Sequence, residues 1–502
     1  MSNPLSKLLD LYKSRNFIQA EKEYLHITKK LKPNHELLNL YGVILFELKK
    51  YDKAILQLKK SIEINPNYYQ GYNSLGNIFF KKNDFKEALE AYEKAIKLKF
   101  DYFETYHNTG NVYLKLGQID KALKNYNLAT KFNPNYLPAI KSKVDLHYIF
   151  KNHKLALEEI EIFLKKEPNN ASMYHKRGDV FSELNNLDLA LKSYEKAYVL
   201  NPDKPFLLGS IQLTKNKMCI WDDFSQIKKE VENKILKKEK VSPPYTVTTV
   251  FDSPEFQFEC AKIWQNEYKI KEKKNFSFKK KDSKKIKLGF FSADFRVHAM
   301  GHLMVGMLEL HDKSQFELYG FYFGPKIKLN DELHDRIFKS FDKYIDISLM
   351  SDSETLNLCR ELEIDIAIDF MCHTGDYNRF NLFLERLAPI QINFLGYPGT
   401  SGSNNLDYIV ADKNLITPDE QKFYTEKIIY LPDTYQPNEN IKKISQTFTG
   451  KRSFNLPEDK FIFCCFNSHQ KINPVIFDAW LYILKNTKNS ILWLLKDNNF
   501  SE

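Results

Sequence analysis

The sequence predicts an α-solenoid, then a parallel, doubly wound α/β domain, then the first strand–helix–strand of another. Three observations carry this. Alanine recurs at 20, 54, 88, 122, 156 and 190, each step being 34 residues. From residue 286 onward, apolar strand-like runs alternate with helical ones, the pattern of a parallel sheet with helices on its faces. After residue 455 two more strand-like runs flank a single helix.

The first 204 residues are a repeat. Glycine stands in phase at 42, 76, 110 and 178, with Val144 filling the same position once, and proline closes units at 66, 134, 168 and 202. Tyr92, Tyr126 and Tyr194 recur in the second half of their units. A 34-residue period with these residues is that of tetratricopeptide helix pairs. The small residues belong where two antiparallel helices cross closely, and proline ends the second helix. About six units fit, the first less regular because Pro33 is one residue out of phase with Pro66. Stacked pairs predict a superhelix with a concave groove for extended peptides or partner proteins. Asn77, Asn108 and Asn111 fall on first helices of neighbouring units. They are either ordinary surface asparagines or side-chain amides able to grip a peptide backbone.

Composition excludes several classes. The chain has 502 residues, 43% of them hydrophobic, and a formal charge of +10. No run of 18 apolar residues suggests a membrane helix, and the N-terminus lacks the apolar core of a signal peptide, so a cytoplasmic protein is expected. Much of the charge lies in the lysine-rich run 271–287, read as a solvated linker, since no nucleic-acid motif accompanies it. The six cysteines, at 219, 260, 359, 372, 464 and 465, show no metal-ligand spacing and read as free thiols in a reducing compartment.

Residues 205–285 read as a helical transition. Cys-Ile-Trp-Asp-Asp-Phe at 219–224 opens a charged helix that Ser-Pro-Pro-Tyr at 242–245 breaks. Ser253 and Pro254 cap a second helix.

Residues 286–454 hold the α/β domain. Strands are expected at 286–292, 316–323, 344–347, 364–370, 407–412 and 424–432, with helices at 303–310, 331–341 and 353–363. Ligands of such sheets bind beyond the C-terminal strand ends. Three polar clusters fall there. The first is Asp294, Arg296, His298 and His302. The second is Asp369, His373, Thr374, Asn378 and Arg379. The third is 389–402, Pro-Ile-Gln-Ile-Asn-Phe-Leu-Gly-Tyr-Pro-Gly-Thr-Ser-Gly. There a half-buried strand breaks into a glycine-rich loop whose backbone can approach a ligand closely. The segment 435–454 reads as a polar linker.

Residues 455–502 give strands at 460–466 and 490–495 around a helix at 474–485 that places Trp480 and Leu484 on its apolar side. Two parallel strands do not bury both faces, so this is expected to be the start of a nucleotide-binding domain, cut short.

These residues resemble the O-GlcNAc transferases of the SPINDLY-like group, tetratricopeptide repeats joined to a two-domain (GT-B) glycosyltransferase with Rossmann-like halves. The matching motifs are Phe-Ser-Ala-Asp-Phe-Arg-Val-His at 291–298, Asp-Phe-Met-Cys-His-Thr-Gly at 369–375, the 388–402 stretch, Cys-Phe-Asn-Ser-His-Gln-Lys-Ile-Asn-Pro at 465–474 and Asn-Ser-Ile-Leu-Trp-Leu-Leu at 489–495. The resemblance implies inverting transfer of N-acetylglucosamine from UDP-GlcNAc to protein Ser or Thr hydroxyls, without a metal or other cofactor. It implies Lys471 at the leaving diphosphate, with Asn467 and Ser468 lining the same pocket. Ser468 stands where animal members carry glutamine. Asp294 and His298 fall near acceptor and sugar, and Gly396 and Pro398 offer backbone contacts to the donor. Asp369, His373 and His302 are further candidates. Cys372 stands where relatives often have glycine. The histidine that animal members carry before the catalytic domain has no counterpart here, so the general base is not carried over. Acceptor proteins are expected in the repeat groove and nucleic acid and membrane are not expected as partners. Because most donor contacts of the family lie beyond residue 502, these residues alone are expected to turn over little. Two alternatives stay open: a protein O-fucosyltransferase using GDP-fucose, and a non-catalytic repeat scaffold.

Overall fold

The in-phase alanines are buried because a second helix lies directly on each. Ala20, Ala54, Ala88, Ala122 and Ala156 have no exposed surface. The glycines answer to the side chain 16 residues on. A Cβ on Gly76 would stand 2.4 Å from the Tyr92 ring, and one on Gly110 2.5 Å from the Tyr126 ring. The aromatic ring of the second helix therefore occupies the space the first helix leaves.

The computed structural model describes residues 4–266, 285–327, 331–375, 377–439, 449–496 and 498. Most of the lysine run 271–287 and part of the 435–454 segment lie outside the described residues. The chain divides into two units, Met1–Asn169 and Asn170–Glu502.

The first unit is an array of antiparallel pairs: α1 (Pro4–Lys13), α2 (Phe17–Thr28), α3 (His35–Glu47), α4 (Tyr51–Ile64), α5 (Tyr69–Lys82), α6 (Phe85–Leu98), α7 (Phe103–Lys115), α8 (Ile119–Phe132), α9 (Leu137–Ile149) and α10 (His153–Lys166). Pro66, Pro134 and Pro168 sit in the turns after α4, α8 and α10, where the missing N–H breaks no helical bond. Asn77 and Asn111 accept the Tyr92 and Tyr126 hydroxyls at 2.7 and 2.8 Å, and Asn108 donates to Asn73 Oδ1 at 3.1 Å. These carbonyl and amide groups thus tie helix to helix.

The second unit begins with α11 (Ala171–Glu183) and α12 (Leu187–Leu200), the last repeat. Then come α13 (Leu207–Lys217), α14 (Phe224–Leu236), α15 (Pro244–Val250) and α16 (Pro254–Gln265). Two of these depart from expectation. No helix opens at Cys219: that residue is left-handed, at φ 56°, in the turn between α13 and α14. The Pro-Pro pair that was to break a helix instead starts α15, since proline is tolerated in a helix's first turn. Ser253 caps α16 as expected, accepting from the Phe256 N–H at 3.5 Å. Ala190, Tyr194, Leu208, Ile211, Val231 and Ile263 share one core, so the last repeat packs on the transition helices.

The sheet follows. Its strands are β1 (Ile286–Ser292), β2 (Phe316–Tyr322), β3 (Lys343–Asp346), β4 (Ile366–Asp369), β5 (Ile390–Asn393), β6 (Tyr408–Ala411) and β7 (Lys427–Tyr430). The order is β3-β2-β1-β4-β5-β6-β7, all parallel. The order reverses between β1 and β4, which makes their C-terminal ends the switch point where such sheets bind ligands. α17 (Ala299–Glu309) and α18 (Glu332–Ser340) cover one face with Leu288, Phe290 and Leu318, while α19 (Asp352–Glu361) covers the other with Phe291, Phe321 and Ala367. α17 begins four residues before the apolar run at 303 because His298 caps it.

β8 (Phe461–Cys465), α20 (Pro474–Asn486) and β9 (Ser490–Leu494) form a separate two-stranded parallel sheet with its helix. Trp480 and Leu484 are partly buried, while no residue of α20 is fully so. All six cysteines are free thiols. Among the described residues no helix is long and apolar enough to cross a membrane.

Gly110→Ala tests the ring-in-gap packing. Alanine gains about 1 kcal/mol in helix propensity, but overpacking against a rigid ring costs about 1–3 kcal/mol. A net loss of up to roughly 2 kcal/mol is expected by urea unfolding. A gain in stability would contradict the contact.

Candidate active site

The switch point gathers the first cluster. Asp294 is 6% exposed, and its backbone N–H donates to Ser292 Oγ at 2.9 Å. Arg296 Nη2 pairs with Asp294 Oδ1 at 3.1 Å, and His298 Nδ1 lies 3.4 Å from Asp294 Oδ2. His298 is also the N-cap of α17, its Nδ1 accepting from the Met300 N–H at 3.2 Å. A neutral Nδ1 serves only one of these partners. Accepting from Met300, the ring carries its proton on Nε2. Donating to Asp294, it frees the Nε2 lone pair. Burial holds the His298 pKa below the usual histidine value, with Asp294 opposing and Arg296 and His302 adding to the depression. His302 lies one turn on, exposed, its N–H bonded to the His298 carbonyl at 3.1 Å. Gly301 lets the loop fold over this helix end: a Cβ there would stand 2.3 Å from the Arg296 carbonyl oxygen.

The second cluster splits. Asp369 is 2% exposed, and its Oδ1 accepts from the Met371 and Cys372 N–H groups at 2.8 and 3.0 Å. Its Oδ2 is buried with no hydrogen-bond partner, as is Oδ1 of Asn393, its neighbour in register on β5. Burial pushes the Asp369 carboxyl up to about 6 against those two N–H bonds. His373 Nε2 bonds the Ser401 carbonyl at 2.9 Å, and burial pulls its pKa down to about 4, so it is a neutral ring at pH 7. Cys372 is left-handed, at φ 48°, which gives the physical reason for a glycine at that position. Asn378 and Arg379 serve the fold. Asn378 accepts from the Phe380 N–H at 2.7 Å, and Arg379 pairs with Asp352 at 2.5 Å. Thr374 donates its hydroxyl to the Met371 carbonyl at 2.6 Å.

The third cluster follows β5. Gly396 is pressed on the preceding loop: a Cβ would stand 1.9 Å from the Phe370 carbonyl oxygen and 3.5 Å from Met300 Cε. Pro398 is exposed at the loop tip. Asn393 Nδ2 donates to the Tyr397 and Gly399 carbonyls, both at 3.2 Å. The three clusters therefore meet, the first and third through Met300 and the second and third through His373, Ser401 and Phe370.

The residues after β8 stand on their own turn. Lys471 is exposed and makes no ion pair among the described residues. Its backbone N–H bonds the Ser468 carbonyl at 3.0 Å. Asn467 is exposed, with Nδ2 3.7 Å from Cys465 Sγ. Gln470 donates to the Tyr245 hydroxyl at 2.7 Å, and Tyr245 packs against the sheet core that holds Cys372 and Tyr397. That bond links the turn to α15, although Asn467, Ser468 and Lys471 share no hydrogen bond or ion pair with the strand-end clusters among the described residues. Sequence reasoning passed over Gln470, Asn393 and the buried Glu426. Each is an ordinary polar residue in its stretch, and only the fold gives it partners. No group of three or more His, Cys, Asp or Glu able to hold a metal ion occurs among the described residues.

The model of glycosyl transferase family 41 matches residues 259–442 and 436–502. Tetratricopeptide models match 42–83, 76–117, 103–136 and 171–204. Residues 259–502 belong to glycosyl transferase family 41. The Arabidopsis thaliana protein named "Probable UDP-N-acetylglucosamine--peptide N-acetylglucosaminyltransferase SEC" is 34% identical over 218 residues, 42% of this chain and 22% of its own length. The SPINDLY protein of the same plant, named for the same activity, is 26% identical over 213 residues, 41% of this chain and 22% of its own length. A solved mutant of the Thermobaculum terrenum O-GlcNAc transferase is 21% identical and aligns with 78% of this chain and 68% of its own, at a TM-score of 0.49. The chain thus spans about a fifth of the length of the curated relatives it matches (22%).

The Asp369 arrangement makes a signed prediction. A carboxyl whose folded pKa is raised binds more protons folded than unfolded, so its contribution to stability is present at low pH and lost as pH rises through about 6. Asp369→Asn keeps the acceptor for the two N–H groups and removes the buried charge. It is expected to raise the Tm at pH 8 and to change it little at pH 4. A lower Tm at pH 8 would mean that the folded protein stabilises the charged carboxylate in place.

Proposed function

We propose that the chain is the repeat-bearing portion of a glycosyltransferase that moves N-acetylglucosamine from UDP-GlcNAc to serine or threonine hydroxyls of proteins. The observation that carries this reading is the His298–Asp294 pair standing at the switch point, joined through Met300 to the Gly396 loop. The names of the plant relatives support the donor and the acceptor class.

In this reading His298 turns its Nδ1–H to Asp294, and its Nε2 takes the proton of the attacking hydroxyl. The hydroxyl oxygen bonds to the anomeric carbon as the bond to the diphosphate breaks, and the sugar inverts. Gly396 and Pro398 present backbone to the donor. Lys471 supplies positive charge to the departing diphosphate, so no metal is needed, and Asn467 and Ser468 line that side. The paired helices hold the acceptor protein, and the reaction takes place in the cytoplasm.

Calorimetry with UDP-GlcNAc on the full 502-residue chain tests the donor. Binding is expected, with GDP-fucose weaker. Lys471→Ala removes a charge-assisted contact and should weaken it about 10–100-fold. Preference for GDP-fucose would replace the donor, and failure to bind either nucleotide sugar would contradict the reading.

A further inference from the structure

Glu426 lies just before β7 and is 1% exposed. Its Oε1 accepts from the Ser401 N–H at 2.7 Å, and its Oε2 accepts from the Thr400 and Thr425 hydroxyls at 2.7 and 3.0 Å. It makes no ion pair among the described residues. A carboxylate taken out of water without a cation carries a large desolvation cost. Hydrogen bonds offset that cost only when they are well formed, and two of these three come from the glycine loop.

The rest of the loop is gripped from other elements. Asn393 holds the Tyr397 and Gly399 carbonyls from β5, and His373 holds the Ser401 carbonyl from the loop after β4. Thr400 Oγ1, fixed by Glu426, accepts in turn from the Gly402 and Thr425 N–H groups, both at 3.2 Å. Gly402, at φ 70°, lies against α16, where a Cβ would stand 2.5 Å from the Ala261 carbonyl carbon. Glu426 is itself held, its carbonyl accepting from Gln421 Nε2 at 2.9 Å. These bonds turn the 397, 399 and 401 carbonyls and the 401 and 402 N–H groups inward. Among the described residues the N–H groups of Tyr397, Gly399 and Thr400 make no hydrogen bond.

We infer that Glu426 is a positioning residue that fixes the 396–402 loop in its donor-binding shape, an inference that rests on the donor reading above. It touches no reacting atom and acts through Ser401 and Thr400.

Hydrogen exchange and UDP-GlcNAc affinity, measured on the full chain and on Glu426→Ala, Glu426→Asp and Glu426→Gln, test it. In Glu426→Ala the Ser401 and Gly402 amides should exchange about 10–100-fold faster, while β4 and β5 amides keep their protection. Donor affinity should fall at least about tenfold. Glu426→Asp, one methylene short, should follow alanine. Glu426→Gln retains an acceptor for Ser401 and should restore most of both. Loss of β4 and β5 protection together with the loop would mark a merely structural residue and overturn the inference. So would unchanged Ser401 exchange, or faster exchange with unchanged affinity. If the unsubstituted chain binds no UDP-GlcNAc, the donor reading fails and the loop's role with it, whereas an unaltered Ser401 amide in a chain that does bind the donor sinks the clamp alone.

Discussion

The contact on which the site depends is the one between Gly396 and the carbonyl of Phe370. A side chain at 396 would need to occupy the space 1.9 Å from that oxygen, so only glycine permits the approach. The approach brings the ends of β4 and β5 together at the point where the strand order turns. Met300, in the first turn of α17, closes on the same glycine, and that places the His298–Asp294 pair beside the loop. Three stretches far apart in the chain become neighbours through one missing Cβ.

Closing polar strand ends in this way leaves their side chains with little water, and the site's chemistry follows from that. Asp369 is pushed up and His373 is pulled down by the same burial, because a low-dielectric setting disfavours charge of either sign. At pH 7 His373 is neutral and Asp369 is only about one pH unit above its raised value, and both hold backbone. Glu426 meets burial differently, with hydrogen bonds to every side. Asp294 keeps Arg296 as a counter-ion. Four acidic or basic side chains thus solve one problem in three ways, and only the Asp294 cluster, with His298 partly open to solvent, is free to move a proton.

Much of the fold was legible because it rests on short-range periodicity. The alanine and glycine phases reported helix crossings, where the structure seats Gly76 and Gly110 under Tyr92 and Tyr126, and the strands of the sheet fall within a few residues of the apolar runs. What was not legible depended on tertiary partners. α13 carries seven buried residues on one short helix, among them Gln212, Thr214 and Asn216, so its polar positions hid an element whose core spans α12 to α16. The Pro-Pro pair reads equally as a stop and a start, and α15 used it as a start. At the site, residue types pointed to the right strand ends, but roles needed geometry. Arg379 and Asn378 resembled ligand groups and turned out to serve Asp352 and the turn at Phe380. Glu426 resembled an ordinary pre-strand acid and proved to be buried against the loop.

The central proposal is that the first and third strand-end clusters and the turn after β8 hold one nucleotide sugar. Amide exchange across the whole chain with and without saturating UDP-GlcNAc tests it most directly. The account predicts added protection confined to 294–300, 396–402 and the turn at 467–471, with the helix pairs of the first unit unchanged. Protection that appears elsewhere and spares 396–402 would contradict it.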